Sequence, residues 1–201
     1  PLEDRPFDPV HIMRKELDTL KIADFPVLDP TAGHKMKDYI LETAARKDSV
    51  GGIVECCVLG LPPGLGEPIF DGLENRISAA VFGIPAVKGI EFGDGFETAR
   101  STGSVNNDAF FYEAGQVRTK TNHNGGILGG LASGMPLIFR AAFKPTPSIG
   151  LPQDSVDLST GQNTTLTVKG RHDPCVVPRA VPCVEAAAAI ALYDLCLGDR
   201  R

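Results

Sequence analysis

Residues 49–60 read SVGGIVECCVLG and set the fold class of this 201-residue chain. Branched apolar residues dominate the stretch, and the turn cluster LPPGLG ends it, so we predict a buried β-strand. Gly51 and Gly52 stand at its start, where glycine marks either a bulge or the close approach of another backbone. The strand is therefore expected to lie in the core.

Helical and strand patterns alternate around this strand. Apolar spacing predicts helices near 13–20, at 29–48, at 68–84 and, rich in alanine, at 180–197. Further strands are predicted at 86–93, 136–143 and 163–170. Residues 101–122 lack periodicity and predict a long surface loop, which in a compact domain is usually a lid or disordered. Four strands with helices between and after them predict an α+β fold.

The composition is that of a soluble globular protein, with 42% hydrophobic and 22% charged residues. No apolar run approaches the roughly 20 residues of a membrane-spanning helix, and no basic, apolar leader opens the chain, so we expect no membrane partner. Net charge is −6 over residues 1–100 and +1 over residues 101–201. Nucleic acid binding needs a clear basic excess and is not expected, whereas small anions need only a few converging cations.

Five cysteines show no metal-binding spacing and no Cys-x-x-Cys pair. We interpret them as reduced, buried thiols of a cytoplasmic protein.

Three stretches carry residues with chemical potential. In KGRHDPC, residues 169–175, Arg171 and Asp173 would share one face of an extended turn. They form either a structural ion pair capping the last helix or an anion-binding arginine beside a carboxylate base, and spacing alone does not decide. KPTPS, residues 144–148, offers a cation and two hydroxyls held by prolines, which suits phosphate but also an ordinary strand exit. The glycine run at 125–134 favours a tight packing turn over a ligand cradle.

Six ordered blocks resemble chorismate synthase: SVGGIVECCVLGLPPGLGEPIFDGLE, PAVKGIEFGDGF, GSVNND, TNHNGGILGG, FKPTPS and GRHDPCVVPRAVPCVEA. The likeness runs from about Met36 to Leu197 and is to the C-terminal half of that enzyme. Residues 1–30 are poorly recognisable, so we divide the chain into 1–30 and 31–201.

The resemblance implies a layered fold, in which a helical core lies between two four-stranded antiparallel sheets. Our four strands would form one of these sheets, with the helices at 68–84 and 180–197 facing the centre. The family is a carbon–oxygen lyase of the shikimate pathway. It removes phosphate from 5-enolpyruvylshikimate 3-phosphate to give chorismate and needs reduced FMN, with NADPH as a possible reductant. A cytoplasmic homotetramer is implied for the full-length protein.

The same resemblance implies the site residues. Those that would contact FMN are Pro85, Ala86, Gly129, Lys144, Pro145, Thr146, Pro147, Ser148 and Arg171. Arg171 would also bind substrate, and Asp173 would transfer a proton. Two residues depart from the family pattern. Cys183 stands where the family usually has an aliphatic residue, a packing substitution that casts little doubt on the chemistry, and Pro147 replaces a common serine in the lysine-proline loop.

The family's N-terminal motifs, with two histidines credited with acid catalysis, do not occur in this sequence. We therefore expect this chain to be catalytically incomplete. The alternative is a non-catalytic flavin-binding or assembly module.

Overall fold

The computed structural model describes residues 2–198, which form helices and short antiparallel sheets, as the predicted α+β class requires. The helices are α1 (Arg14–Lys21), α2 (Pro30–Ala45), α3 (Leu73–Phe82), α4 (Gly103–Asn106) and α5 (Val177–Gly198), with a 3₁₀ helix at Gly95–Arg100. The strands are β1 (Gly52–Val58), β2 (Val87–Phe92), β3 (Phe110–Glu113), β4 (Gln116–Thr119), β5 (Ile127–Leu128), β6 (Leu131–Ala132), β7 (Leu137–Phe143), β8 (Gln153–Asp157) and β9 (Gln162–Leu166).

Strand β7 is the centre of the main sheet. β1 pairs antiparallel along one edge and β2 along the other, giving the order β1-β7-β2. Because both edges of β7 are paired and the apolar core covers one face, five of its seven residues are buried. The strands predicted at 49–60, 86–93 and 136–143 are confirmed.

The fourth predicted strand, at 163–170, does not join this sheet. Its first four residues lie in β9, which pairs with β8 in a separate hairpin, and residues 167–170 are not in a strand. All five residues of β9 are exposed, so the segment has no apolar face to place on the core. The predicted four-stranded sheet is therefore three-stranded within residues 2–198.

Helices α3 and α5 cover one face of the main sheet, as predicted for 68–84 and 180–197. Leu73, Ile77 and Val81 of α3 are fully buried at a four-residue spacing. Helix α3 starts at Leu73 and not at 68, because Gly72 is its N-cap and Ile69 has a left-handed φ of 65°. The buried residues of α5 are Ala180, Val184, Ala187, Ala188, Ala191 and Leu192.

The outer side of α5 carries a second apolar stripe. Its exposed members are Pro182, Ala186, Ala189, Ile190, Tyr193 and Leu197, and Ile190 is 69% exposed. By length and composition alone α5 could cross a membrane, with a mean hydropathy of 1.7. The prediction that no stretch approaches this limit is wrong, because the alanines raise the mean. A core helix meets the same criteria, and α5 packs on β1 and α3.

Residues 101–122 hold more structure than the predicted loop. They contain α4 and the β3–β4 hairpin, in which Phe110, Tyr112 and Val117 are more than half exposed. Because this hairpin presents apolar and polar side chains to solvent alike, its sequence shows no alternation that would predict strands.

Candidate functional site

Two of the predicted site segments meet at the end of β7. Val87 opens β2 and is paired with Phe143 at the end of β7, so the residues before β2 lie beside those after β7. The Lys144 N–H donates to the carbonyl of Ala86 at 2.9 Å. Pro85, Ala86 and the segment 144–148 therefore form one surface, although 57 positions separate Ala86 from Phe143 in the sequence. We call this surface the strand-end cluster.

Ala86 has a backbone conformation that a residue with a Cβ seldom adopts. Its φ is 74°, in the left-handed region. Such strain costs on the order of 1–3 kcal/mol and persists where neighbouring contacts fix the backbone, often at ligand sites. Here the bond from Lys144 and the buried Val87 fix it.

Residues 49–51 support the strand-end cluster from beneath. Ser49 Oγ donates to the carbonyl of Thr146 at 2.7 Å. A Cβ added at Gly51 would lie 2.3 Å from the Phe143 carbonyl oxygen and 3.1 Å from Pro145 Cδ. The close backbone approach predicted at the start of this strand is confirmed, and only glycine fits under the loop.

We expect Gly51→Ala to destabilise the chain and to displace the segment 144–148. Overpacking against a backbone carbonyl costs about 1–3 kcal/mol, which for a domain of this size lowers Tm by about 3–10 °C. Thermal unfolding measures the loss. Gly103→Ala is the matched control, since an added Cβ there meets nothing within 4 Å. Equal Tm values for the two variants would contradict the tight fit.

The turn that holds Arg171 and Asp173 docks on the same strand. The Val50 N–H donates to the carbonyl of Pro174 at 2.8 Å. Because Ser49 binds the Thr146 carbonyl and Val50 binds Pro174, the turn and the strand-end cluster are neighbours.

The two charged residues of this turn have different surroundings. Asp173 pairs with Arg179 in the first turn of α5 and accepts a long hydrogen bond from Cys175 N at 3.4 Å. Arg171 is exposed, and within residues 2–198 its guanidinium makes no ion pair. Of the two alternatives that the spacing left open, the ion pair between Arg171 and Asp173 is not the one seen, since Asp173 pairs with Arg179. The structure keeps the carboxylate tied to the last helix and leaves Arg171 available to an anion.

An open cavity of about 460 Å³ lies on the other side of this turn. Lys47, Lys169 and His172 line it, together with Gly150 and Gly170, which flank the two site segments. The His172 ring binds the Val168 carbonyl through Nε2 at 2.9 Å. The cavity is large enough for a small ligand, but Lys144–Ser148 and Asp173 do not line it.

Gly129 lies at the other end of the main sheet. The preceding glycines, Gly125 and Gly126, pack against Gly93 and Pro136, next to the start of β7. Strand β7 has seven residues and spans about 20 Å at ~3.3 Å per residue. Within one chain, the structure does not bring Gly129 to the strand-end cluster. Its φ is 61° and the space over its Cα is open, so its backbone can contact a ligand directly.

The cysteines are free thiols, as predicted. Burial raises the pKa of Cys56 and of Cys57 to about 12, so both stay protonated and are poor nucleophiles at neutral pH. The expectation that all five are buried is wrong: Cys175 alone is buried, Cys183 is exposed, and Cys56, Cys57 and Cys196 are partly exposed.

The residues present fit a phosphate-bearing cofactor. Lys144 and Arg171 are exposed cations, and Ser148 adds an exposed hydroxyl on a proline-braced segment. These are the donors that phosphate recognition requires. Sequence reasoning missed Ser49 and Arg179, because a serine before a strand and an arginine in a helix carry no functional signal by themselves.

Comparisons with known proteins give one consistent result. The sequence profile described as chorismate synthase matches residues 10–197. The chain is 56% identical over 169 residues to the chorismate synthase of Dehalococcoides mccartyi strain 195, covering 84% of this chain and 46% of that protein. It is 54% identical to the chorismate synthase of Methanothermobacter thermautotrophicus, covering 83% and 45%.

A solved structure agrees with the sequence relatives. A crystal structure of chorismate synthase superposes with a TM-score of 0.73 at 30% identity, covering 92% of this chain and 48% of that one. The chain thus spans about half the length of the relatives that it matches.

Proposed function

The chain belongs to the chorismate synthase family, and from this premise we propose that it forms part of the active site of such an enzyme. The reaction is elimination of phosphate from 5-enolpyruvylshikimate 3-phosphate to give chorismate, with reduced FMN as cofactor. In this proposal residues 31–201 are the C-terminal portion of the enzyme.

The observation that carries the proposal is the hydrogen bond from Lys144 to Ala86. It joins two segments that the family resemblance assigns independently to the flavin, and it holds Ala86 in a strained conformation. A loop serving only as a strand exit would not require that strain.

The residues of the strand-end cluster would hold the flavin. Lys144 would contribute charge, Thr146 and Ser148 hydroxyl groups, and the prolines Pro85, Pro145 and Pro147 a fixed backbone. Gly129 would contact the flavin through its backbone, which in view of its distance requires another copy of the chain or a ligand that spans the sheet. Bound reduced FMN would lend electron density as the phosphate leaves.

The turn that holds Arg171 and Asp173 would bind the substrate and transfer a proton. Arg171, exposed and unpaired within residues 2–198, would bind the phosphate or carboxylates of the substrate. Asp173 would transfer a proton, and Arg179 would orient its carboxylate from α5.

The wider setting follows the family. We propose a cytoplasmic homotetramer, with NADPH as a possible source of electrons for the flavin.

A second candidate is a flavin-binding or assembly module without turnover. The Asp173–Arg179 ion pair favours it, because a carboxylate committed to a neighbouring helix can be wholly structural.

Both candidate functions require that the chain binds FMN, and titration of the 201-residue chain with FMN tests this. We expect Lys144→Ala to weaken FMN binding by about 10- to 150-fold, since it removes a charged donor to phosphate worth roughly 1.5–3 kcal/mol. Fluorescence quenching of FMN gives Kd. Lys35→Ala, which removes an exposed lysine from α2, is the matched control. Equal Kd values for both variants and wild type would remove Lys144 from the site.

A further inference from the structure

Buried polar side chains gather around one loop. Within residues 2–198 four polar or charged residues are buried: Thr43, Asp108, Thr119 and Asn122. Three of them lie on or beside residues 121–126, which we call the glycine-turn loop. Buried polar groups cost free energy unless they are fully hydrogen-bonded, so their concentration here indicates that the loop must hold one geometry.

Asp108 binds the glycine-turn loop through both carboxylate oxygens. Oδ1 accepts hydrogen bonds from Thr121 Oγ1 and His123 N at 2.8 Å each. Oδ2 accepts from Asn124 N at 3.1 Å and from Asn124 Nδ2 at 2.8 Å. Burial alone would raise the pKa of Asp108, but these four donors outweigh it and lower the pKa, so the group stays ionised.

Asn122 binds the same loop to the rest of the chain. Its Nδ2 donates to the Pro136 carbonyl at 2.8 Å and to the Pro9 carbonyl at 2.9 Å. Its Oδ1 accepts from Gly126 N at 2.7 Å. One side chain thus connects the N-terminal segment, the entry to β7 and the loop.

The loop is also locked against the main sheet by its backbone. A Cβ added at Gly125 would lie 2.3 Å from Gly93 N, and one at Gly126 would lie 2.4 Å from the Pro136 carbonyl oxygen. The β5–β6 hairpin begins at the next residue, Ile127, and its turn contains Gly129. The hairpin is also held at Gly130, whose carbonyl accepts a hydrogen bond from Leu73 N at 2.9 Å, so the loop fixes one end of the Gly129 turn and α3 the other.

We propose that Asp108 and Asn122 are positioning residues that set the place of the Gly129 turn for the flavin. This inference rests on the proposed function, because it takes Gly129 as a flavin contact. Neither side chain touches the cofactor; both act through the glycine-turn loop.

The test combines hydrogen exchange with FMN titration of the full 201-residue chain. Asp108→Asn keeps the size of the side chain but replaces one accepting oxygen by an NH₂ group, which cannot accept the hydrogen bonds that the loop donates. We expect exchange at the amides of His123 and Asn124 to speed up about tenfold or more, and Kd for FMN to rise by a similar factor. Thr121→Val removes only one of the four bonds, and it serves if Asp108→Asn folds poorly.

Val184→Ala is the control for stability alone. It removes part of a fully buried side chain of α5 and should lower Tm while leaving the affinity for FMN unchanged. Unchanged FMN affinity in Asp108→Asn with a loosened loop would overturn this inference and leave the proposed function intact. Unchanged exchange would overturn it as well. A wild-type chain that binds no FMN, even beside the other half of the enzyme, would overturn the proposed function and this inference together.

Discussion

Asp173→Asn is expected to reduce turnover of a full-length chorismate synthase carrying this sequence by about 10²–10⁴-fold, the usual contribution of a proton-transferring group. Asparagine keeps the size of the side chain and its acceptor for Cys175 N, but it cannot take a proton. Affinity for FMN should change little, because the flavin contacts lie on other residues. Steady-state rates and flavin titration of the purified variant measure both quantities.

Arg179→Gln separates catalysis from structure. It breaks the ion pair with Asp173 while keeping the carboxylate, and Arg179 is itself largely exposed, with 73% of its side chain accessible. Asp173 itself is only 29% exposed, so the pair is partly buried, and we expect each variant to lose about 1–3 kcal/mol of stability, a few degrees of Tm. If Asp173→Asn remains active and is only less stable, the carboxylate is structural and its catalytic role fails. Because Arg179 would orient the carboxylate, Arg179→Gln should also lose turnover, but less than Asp173→Asn.

The 201-residue chain alone is expected to form no chorismate from reduced FMN and 5-enolpyruvylshikimate 3-phosphate. It spans about half the length of its relatives, and the family motifs that carry acid catalysis do not occur in it. Without an acid for the departing phosphate, the chain lacks a contribution of about 10²–10⁴-fold in rate, besides missing substrate contacts.

Complementation with the missing half tests whether this chain contributes active-site residues. The other half of a relative, such as the Dehalococcoides mccartyi enzyme, would be added in trans, and chorismate would be followed by absorbance. Restored turnover that disappears with Asp173→Asn would support the assignment of the active site. Turnover by the chain alone would require acid groups among its own residues, with His123 and His172 the first to replace.

Sequence patterns predicted correctly those helices and strands whose hydrophobic pattern is determined by burial in the core. β7 is apolar because its side chains are buried in the core, and α3 repeats buried residues every four positions because one side faces the sheet. The strand at 163–170 was placed in the wrong sheet, because β9 is fully exposed and hydrophobic burial, which creates the pattern for a core strand, is absent from it.

For the candidate site, the sequence indicated which segments carry site residues but not which residues contact one another. The approach of Lys144 to Ala86 follows from strand pairing that no single segment reveals. Gly51 marks a different contact, the close approach of the Phe143 carbonyl. The partner of Asp173 depends on the geometry of the turn before α5, where residue 179 comes within reach and residue 171 points elsewhere. Spacing along a chain does not determine such a choice.

The outer apolar stripe of α5 ties the solubility of this chain to its concentration. Because one face of α5 lies in the core and a second apolar face is exposed, every copy of the chain presents the same apolar surface. We therefore expect the chain to be monomeric when dilute and to self-associate through this surface when concentrated. Ile190, Tyr193 and Leu197 would dominate that encounter. A low yield of soluble protein during overproduction would then result from self-association through these residues. Lowering the protein concentration would raise the soluble yield, whereas stabilising the core would not.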